Sequence, residues 1–463
     1  VLEEVASGPR LERYAAAYQG VSPADAPHYA RFFWEIELGG EWEPWQSTTE
    51  ATQAFGGMEL ALWWGRDLLA AFESGSAYVR GQQAWDREGV VISQMSNLPA
   101  ALYGGVKFDT NCSVIVPHDP SHLPAIWAFC SSPEFAIEVR KIDQKLNVTN
   151  ATLVKVPFDL ERWQKVAEEK YPDGLPEPYS EDPTQWLFKG HPARSTNPLQ
   201  VAVARLLGYE WPEQEADGLE SHADRDGIVC LPSVGGERPA AERLRDLLAD
   251  AFGDAWSAGK QESLLAAAGF GGKTLAEWLR DGFFEQHCKL FHQRPFIWHI
   301  WDGRKDGFSA LVNYHKLDYK LLERLTYTQL GEWIGQQERL NNAGEQGAEA
   351  RLIAAQALQA KLKLILEGEA PYDIFVRWKA PHELPMGWHP DLNDGVRMNI
   401  RPLMMNEKGE VCAGVLRWKP NIKWGKDRGK NPPGTPYGED RENDRHFTLD
   451  EKRKAREAAG EGK

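Results

Sequence analysis

The sequence predicts an α+β protein, with a mixed strand–helix region, helical segments and a C-terminal α/β region. Three observations predict it. Residues 89–117, GVVISQMSNLPAALYGGVKFDTNCSVIVP, carry apolar runs at 90–92 and 113–116, separated by Gly and Asn in the manner of short strands. Residues 122–142 place Leu123, Ile126, Trp127, Phe135 and Val139 at helical spacing, and Val148, Leu153, Val154 and Val156 then return to a strand pattern. Residues 294–317, RPFIWHIWDGRKDGFSALVNYHKL, read as two aromatic-rich strands around a short polar tip, followed by long helix over 319–367. Within that helix Leu352, Ala355, Leu358, Leu362 and Leu366 fall three or four residues apart as one apolar stripe.

A chain of 463 residues has room for roughly two to four domains. Hydrophobic residues make up 42% and charged residues 26%, a balance that permits buried cores. The 19 Trp suit large cores, interfaces and stacking on bases or sugars. No apolar run approaches the roughly 20 residues of a membrane span. Cys112, Cys130, Cys230, Cys288 and Cys412 are far apart and odd in number, which argues against a zinc ribbon or disulfide scaffold and fits a reducing cytoplasm. The start lacks both a signal peptide and a Met.

Along the chain, residues 1–75 read as helix and loop with Trp34, Trp42, Trp45, Trp63 and Trp64 clustered. Residues 76–165 form the strand–helix–strand unit. Residues 166–238 are acidic and rich in Pro and Gly, as a linker or surface segment is. Residues 239–425 contain the hairpin and long helices, and 426–463 form a charged tail. The net charge of −15 is unevenly spread. Residues 209–254 hold twelve acidic and four basic residues, whereas 286–325 hold seven basic and four acidic ones. Because the local field governs docking, a polyanionic partner stays in play.

Several motifs yield to plainer readings. AAGFGGKT at 267–274 fits a loose phosphate-loop pattern, but a helical rather than strand-like segment feeds it; Gly269 ends one helix and Thr274 caps the next. Asp159 with Glu168, Glu169 and Lys170 imitates a nuclease metal site, yet belongs to an ordinary charged helix. His287, His292, His299 and His315 lack metal-ligand spacing. NPLQ at 197–200 and NPPG at 431–434 lack the aromatic fourth residue with which an adenine methyltransferase stacks a flipped base.

Longer blocks carry a resemblance. ISQMSNLPAALYGGVKFDTNCSVIVP, followed by HLPAIWAFCSSPEFAIEVRKIDQKLNVTNATLVKVPFD, resembles the target recognition region of restriction-modification proteins. FFEQHCKLFHQRPFIWHIWDGRKDGFSALVNYHKL and PYDIFVRWKAPHELPMGWHPDLNDGVRMNIRPL are similar to the C-terminal part of large adenine-specific DNA methyltransferases of the BREX and DISARM phage-exclusion and type IIG restriction-modification group. The resemblance spans most of residues 30–425.

It implies that residues 76–165 form a target recognition domain, with 1–75 as a connector to an upstream methyltransferase domain that binds S-adenosylmethionine. The chain would then be the DNA-recognising, C-terminal portion of such an enzyme. A stand-alone DNA-specificity subunit and a protein scaffold in a defence complex are the alternatives. Double-stranded DNA, the methyltransferase domain or partner chain, and other defence proteins are the expected partners.

On this reading Arg304 and Lys305 face phosphates or guanine edges, since Arg bonds guanine bidentately. Ser96, Asn97, Lys107, Asn111, Gln144, Lys145, Asn147, Thr149 and Asn150 supply further readers, amides suiting adenine edges and Lys suiting phosphates. Lys423, Lys426 and Arg428 would clamp the backbone. For each residue the plain alternative is a solvated or turn-forming side chain.

Overall fold

A computed structural model describes residues 8–23, 25–367, 400–404, 414–417, 450, 453–455 and 457–458. Its α+β architecture matches the sequence expectation. The chain divides into two compact units, Val1–Phe33 with Leu38–Lys189, and Trp34–Glu37 with Gly190–Lys463. Among the described residues, no helix is long and apolar enough to cross a membrane.

The first unit contains strands β1 (Ala15–Gln19), β2 (Ala30–Phe32), β3 (Trp42–Gln46), β4 (Leu60–Trp63), β5 (Gly89–Ser93), β6 (Ala100–Tyr103), β7 (Lys107–Phe108) and β8 (Cys112–Pro117). An antiparallel sheet has the order β1-β8-β5-β6, with Val90 opposite Ile115 and Ile92 opposite Ala100. Strand pleating sends Val90 and Ile92 to one face, where they pack with Ile126, Phe129, Phe135 and Trp163. Val91 and Val114 point to the other face, toward Tyr103 and Phe108. Both faces are covered, so β5 and β8 are buried throughout instead of alternating. A second sheet, β2-β4-β3-β7, pairs β3 with β7 in parallel and packs Trp45 and Leu62 against Leu68 of helix Arg66–Glu73.

Two expectations for this unit change. Residues 1–75, expected as a helical connector, hold β1 to β4. Their short strands, AAAYQ, ARF, WEPWQ and LALW, are rich in Ala and aromatic residues and carry no clear apolar–polar period of two. The stretch expected as a strand after residue 147 instead forms helix Asn150–Leu153, followed by a turn whose Val154 and Val156 carbonyls accept from Glu12 and Leu11 N–H at 2.7 and 3.0 Å. The helical pattern at 122–142 is split into Leu123–Cys130 and Pro133–Ile142, because Pro133 cannot continue the first helix's hydrogen bonding and opens the second. Asp159 caps helix Leu160–Lys170, its Oδ1 accepting from Arg162 N–H at 3.1 Å.

In the second unit, β10 (Ile297–Trp301) and β11 (Ser309–Asn313) form the expected hairpin, and β9 (Ile228–Cys230) pairs with β11. Helix Tyr319–Arg324 runs through a π-turn at Leu325–Gln329 into Leu330–Asn342, and Ala348–Glu367 returns antiparallel to it. Gln359 donates to the Thr326 carbonyl at 3.0 Å, satisfying an acceptor within the π-turn. Thr274 forms a capping box with Glu277, and Gly269 is left-handed after helix Ala258–Ala267. The phosphate-loop-like stretch is therefore a helix–helix junction.

Residues 166–238, expected as a linker or surface segment, contribute to both units and contain the buried helix Pro198–Leu206. Some of their carboxylates pair with arginines set into the fold. Arg205, buried, donates from Nη2 to Asp217 at 2.7 Å and to Glu220 at 3.2 Å, and Arg243 pairs with Asp224 at 3.1 Å. Asp217→Ala should cost about 3 kcal/mol in chemical denaturation, because it leaves a buried guanidinium short of its main partner; a loss below about 1 kcal/mol would contradict this.

Burial lowers the pKa of His287 and His299 from 6.5 to about 3, and that of His315 to about 4. These rings stay neutral in the fold while the unfolded chain takes up protons below 6.5. Stability is therefore present above pH 6.5 and falls with pH down to the folded values, by up to about 1.4 kcal/mol per pH unit for each ring. Both His299 ring nitrogens are buried without a hydrogen-bond partner among the described residues. His299→Phe should keep thermal stability at pH 7.5 and flatten its decline toward pH 5; an unaltered decline would exclude His299 as a contributor.

Candidate nucleic-acid interface

One end of the β1-β8-β5-β6 sheet gathers three loops. The β5–β6 turn carries Met95, Ser96 and Asn97, all exposed, and is anchored by buried Leu98. Ser96 and Leu98 adopt left-handed backbones with φ of 58° and 54°, a conformation that costs about 1–3 kcal/mol for a non-glycine residue. The β7–β8 turn presents exposed Asn111. The third loop, residues 143–149, follows helix Pro133–Ile142 and presents Gln144, Lys145, Leu146, Asn147 and Thr149. Buried Val148 anchors it.

Arg140 and Gln94 lock these loops together. Arg140 donates from Nη2 to the carbonyls of Ser96 at 2.7 Å and Leu146 at 3.4 Å, and from Nη1 to that of Lys145. The Gln94 carbonyl accepts from Val148 N–H at 3.0 Å, and its side chain donates to Ser113 Oγ at 2.7 Å. Gln94 N–H donates to the Asn111 carbonyl at 3.4 Å. Polar residues distant in sequence thus share one surface. Met95 and Leu146 are the exposed large hydrophobics of these loops, while Ile137 and Ile142 are exposed on the preceding helix.

Within this group the individual roles diverge. Asn111 donates from Nδ2 to both oxygens of buried Asp109, at 3.1 and 3.0 Å, so its amide donor is held inside the turn. Thr149 precedes helix Asn150–Leu153 and shares a hydroxyl hydrogen bond with Thr152 at 3.0 Å. Asn150 is half-buried and donates to the Ala17 carbonyl at 3.1 Å. Lys107 lies elsewhere. Its ammonium pairs with Glu43 and sits 4.4 and 5.0 Å from the ring centres of Trp64 and Trp85, an environment that holds it in the fold.

The hairpin tip of the second unit neutralises itself. Asp302 accepts from Arg304 N–H at 3.0 Å and Phe308 N–H at 2.7 Å, and burial raises its pKa. Arg304 donates from Nε and Nη2 to the two Asp306 oxygens at 3.0 and 3.2 Å, holding that carboxyl below its ordinary range. The fork that would read guanine is therefore engaged by Asp306, while Lys305 is exposed. Lys423, Lys426 and Arg428, with the Asn-Pro-Pro-Gly stretch at 431–434, lie outside the described residues.

Asn197–Pro198 open a helix whose following Leu199 and Gln200 are buried. Gln200 is engaged by the Phe283 carbonyl at 3.3 Å and by His287 at 3.2 Å. Asn197 and Pro198 line a cavity with Leu264, Ala268, Trp278 and Gln286. Among the described residues, no three His, Cys, Asp or Glu side chains gather as metal ligands.

The residues that sequence reasoning missed are Arg140, Gln94, Met95 and Leu146. Arg140 reads as one more cation on a helix, but the two apolar residues do leave a signal. Each is a single large hydrophobe inside an otherwise polar loop, in SQMSN and DQKLN.

No family model matches the chain. A stretch of 103 residues is 28% identical to a Lacticaseibacillus casei (strain Zhang) protein named adenine-specific methyltransferase PglX, covering 20% of this chain and 9% of that protein. The matched stretch thus spans less than a tenth of the relative's length, and the relationship to a methyltransferase is distant.

Arg140→Ala should speed hydrogen exchange at the Gln94, Leu98 and Val148 amides by about tenfold, corresponding to about 1.4 kcal/mol of lost local stability. Unchanged protection at all three would show that the loops do not depend on this guanidinium.

Proposed function

We propose that this chain is a duplex-DNA recognition region that serves an adenine-specific methyltransferase in a restriction-modification or anti-phage system. The methyl-transferring domain, with its S-adenosylmethionine, is carried elsewhere on the same polypeptide or on a partner chain. The observation that carries this reading is the convergence of Ser96, Asn97, Gln144, Lys145 and Asn147 on one rigid sheet end. The distant methyltransferase relationship supports it.

The division of labour follows from the side chains. Asn and Gln present paired donors and acceptors that fit adenine edges. Lys145 is an exposed cation suited to phosphates, which set position without reading sequence, whereas Lys141 is paired with Glu138 at 2.6 Å. Arg140, held by carbonyls, and Lys145 supply the positive charge of these loops, against Asp143.

Binding of the chain to a pool of duplex fragments, followed by anisotropy across a salt series, tests the reading. About two or three phosphate contacts give a log–log salt slope near −2 to −3, and Lys145→Ala should reduce its magnitude by about 1. Asn97→Ala with Asn147→Ala should relax sequence preference in selection from a random pool. Lys107→Ala should leave the slope unchanged. No duplex affinity in dilute buffer would overturn the reading and favour a protein scaffold.

A further inference from the structure

We infer that Met95 and Leu146 form an apolar wedge that enters a base step of the bound duplex. This rests on the duplex-binding reading above and adds a way of deforming the partner.

Met95 is 50% exposed and Leu146 is 73% exposed, although each loop has its own apolar anchor, Leu98 for one and Val148 for the other. The outward pair is therefore not surplus core. Arg140 Nη2 reaches carbonyls on both loops, Ser96 and Leu146, so the guanidinium holds the two tips side by side. The left-handed residues Ser96 and Leu98 restrict the turn that carries Met95. Rigid presentation is what insertion needs, since a loose side chain folds away before stacked bases separate.

The surroundings select the partner. Asn97, Gln144 and Asn147 border the pair with hydrogen-bonding groups, and Lys145 with the carbonyl-held Arg140 adds positive charge. A base step has the complementary layout: apolar stacked faces, polar edges beside them and phosphates outside. Leu and Met are among the side chains that unstack and kink DNA in this way. A protein partner would require a broader apolar area than two tips framed by amides and cations.

Relaxing a plasmid with topoisomerase I in the presence of the full chain reads unwinding at every sequence the plasmid carries. The unaltered chain should shift the topoisomer distribution. Met95→Ala combined with Leu146→Ala should reduce that shift at least about fivefold, while duplex affinity stays within about threefold and the salt slope holds. Leu146→Phe should retain the shift, and so should Ile137→Ala, which truncates an exposed helix residue outside the loops.

A double variant that unwinds like the unaltered chain overturns the wedge, as does an unaltered chain that binds duplex without unwinding it. Equal loss in Ile137→Ala would also remove the assignment to the loop tips. If the unaltered chain binds no duplex at all, the recognition reading falls and the wedge falls with it.

Discussion

The guanidinium of Arg140 is the constraint on which the first unit's exposed surface depends. It is directed at the backbone carbonyls of Ser96, Lys145 and Leu146. Hydrogen bonds from a charged donor contribute about 1.5–3 kcal/mol each when well formed. Pairing with carbonyls also has an electrostatic consequence. A carboxylate partner would cancel the cation, whereas carbonyl dipoles hold it in place and leave its charge in the local field. Arg140 therefore orders the loops and contributes to their positive potential.

The contrast with Arg304 shows why residue type alone does not define an interface. Both are arginines beside turns. Arg304 is clamped by Asp306, with Arg351 3.6 Å from the same carboxylate, so its field closes within the hairpin tip. Lys107 is a third outcome, a cation shared between a carboxylate and two indoles. Availability depends on what the fold places opposite each charge. Loops on rigid sheets can keep polar groups available because β5 and β8, buried on both faces, hold the turn ends in position.

The parts legible in the sequence were those set by local periodicity. Val90–Ile92 and the hairpin show as β-branched or aromatic runs, and the stripe from Leu352 to Leu366 shows as a helix. Segments governed by distant partners were not legible. The Pro-rich and acidic composition of 166–238 suggested a surface segment, because Arg205 and Arg243 do not reveal that they fold onto Asp217 and Asp224. At the candidate site the polar loop residues could be named one by one. Their convergence could not, since Arg140 lies on a helix with nothing in its neighbouring sequence to indicate the Ser96 carbonyl. The packing of Lys107 between Trp64 and Trp85 was hidden for the same reason.

A formal charge of −15 opposes the proposed polyanionic partner at long range, and the resolution lies in distance. At physiological salt, exposed charges are screened beyond about 8 Å, so the acidic remainder of the chain acts weakly on a duplex held at the loops. It also provides little long-range attraction, and such a protein gains little from electrostatic steering. In the proposed duplex complex, binding energy must then come from close contact: amides at base edges, a few cations at phosphates, and apolar tips that gain only when covered. Those contributions vary with sequence more than simple charge attraction does. Low net attraction combined with rigid, chemically mixed loops therefore favours discrimination over tight non-specific binding.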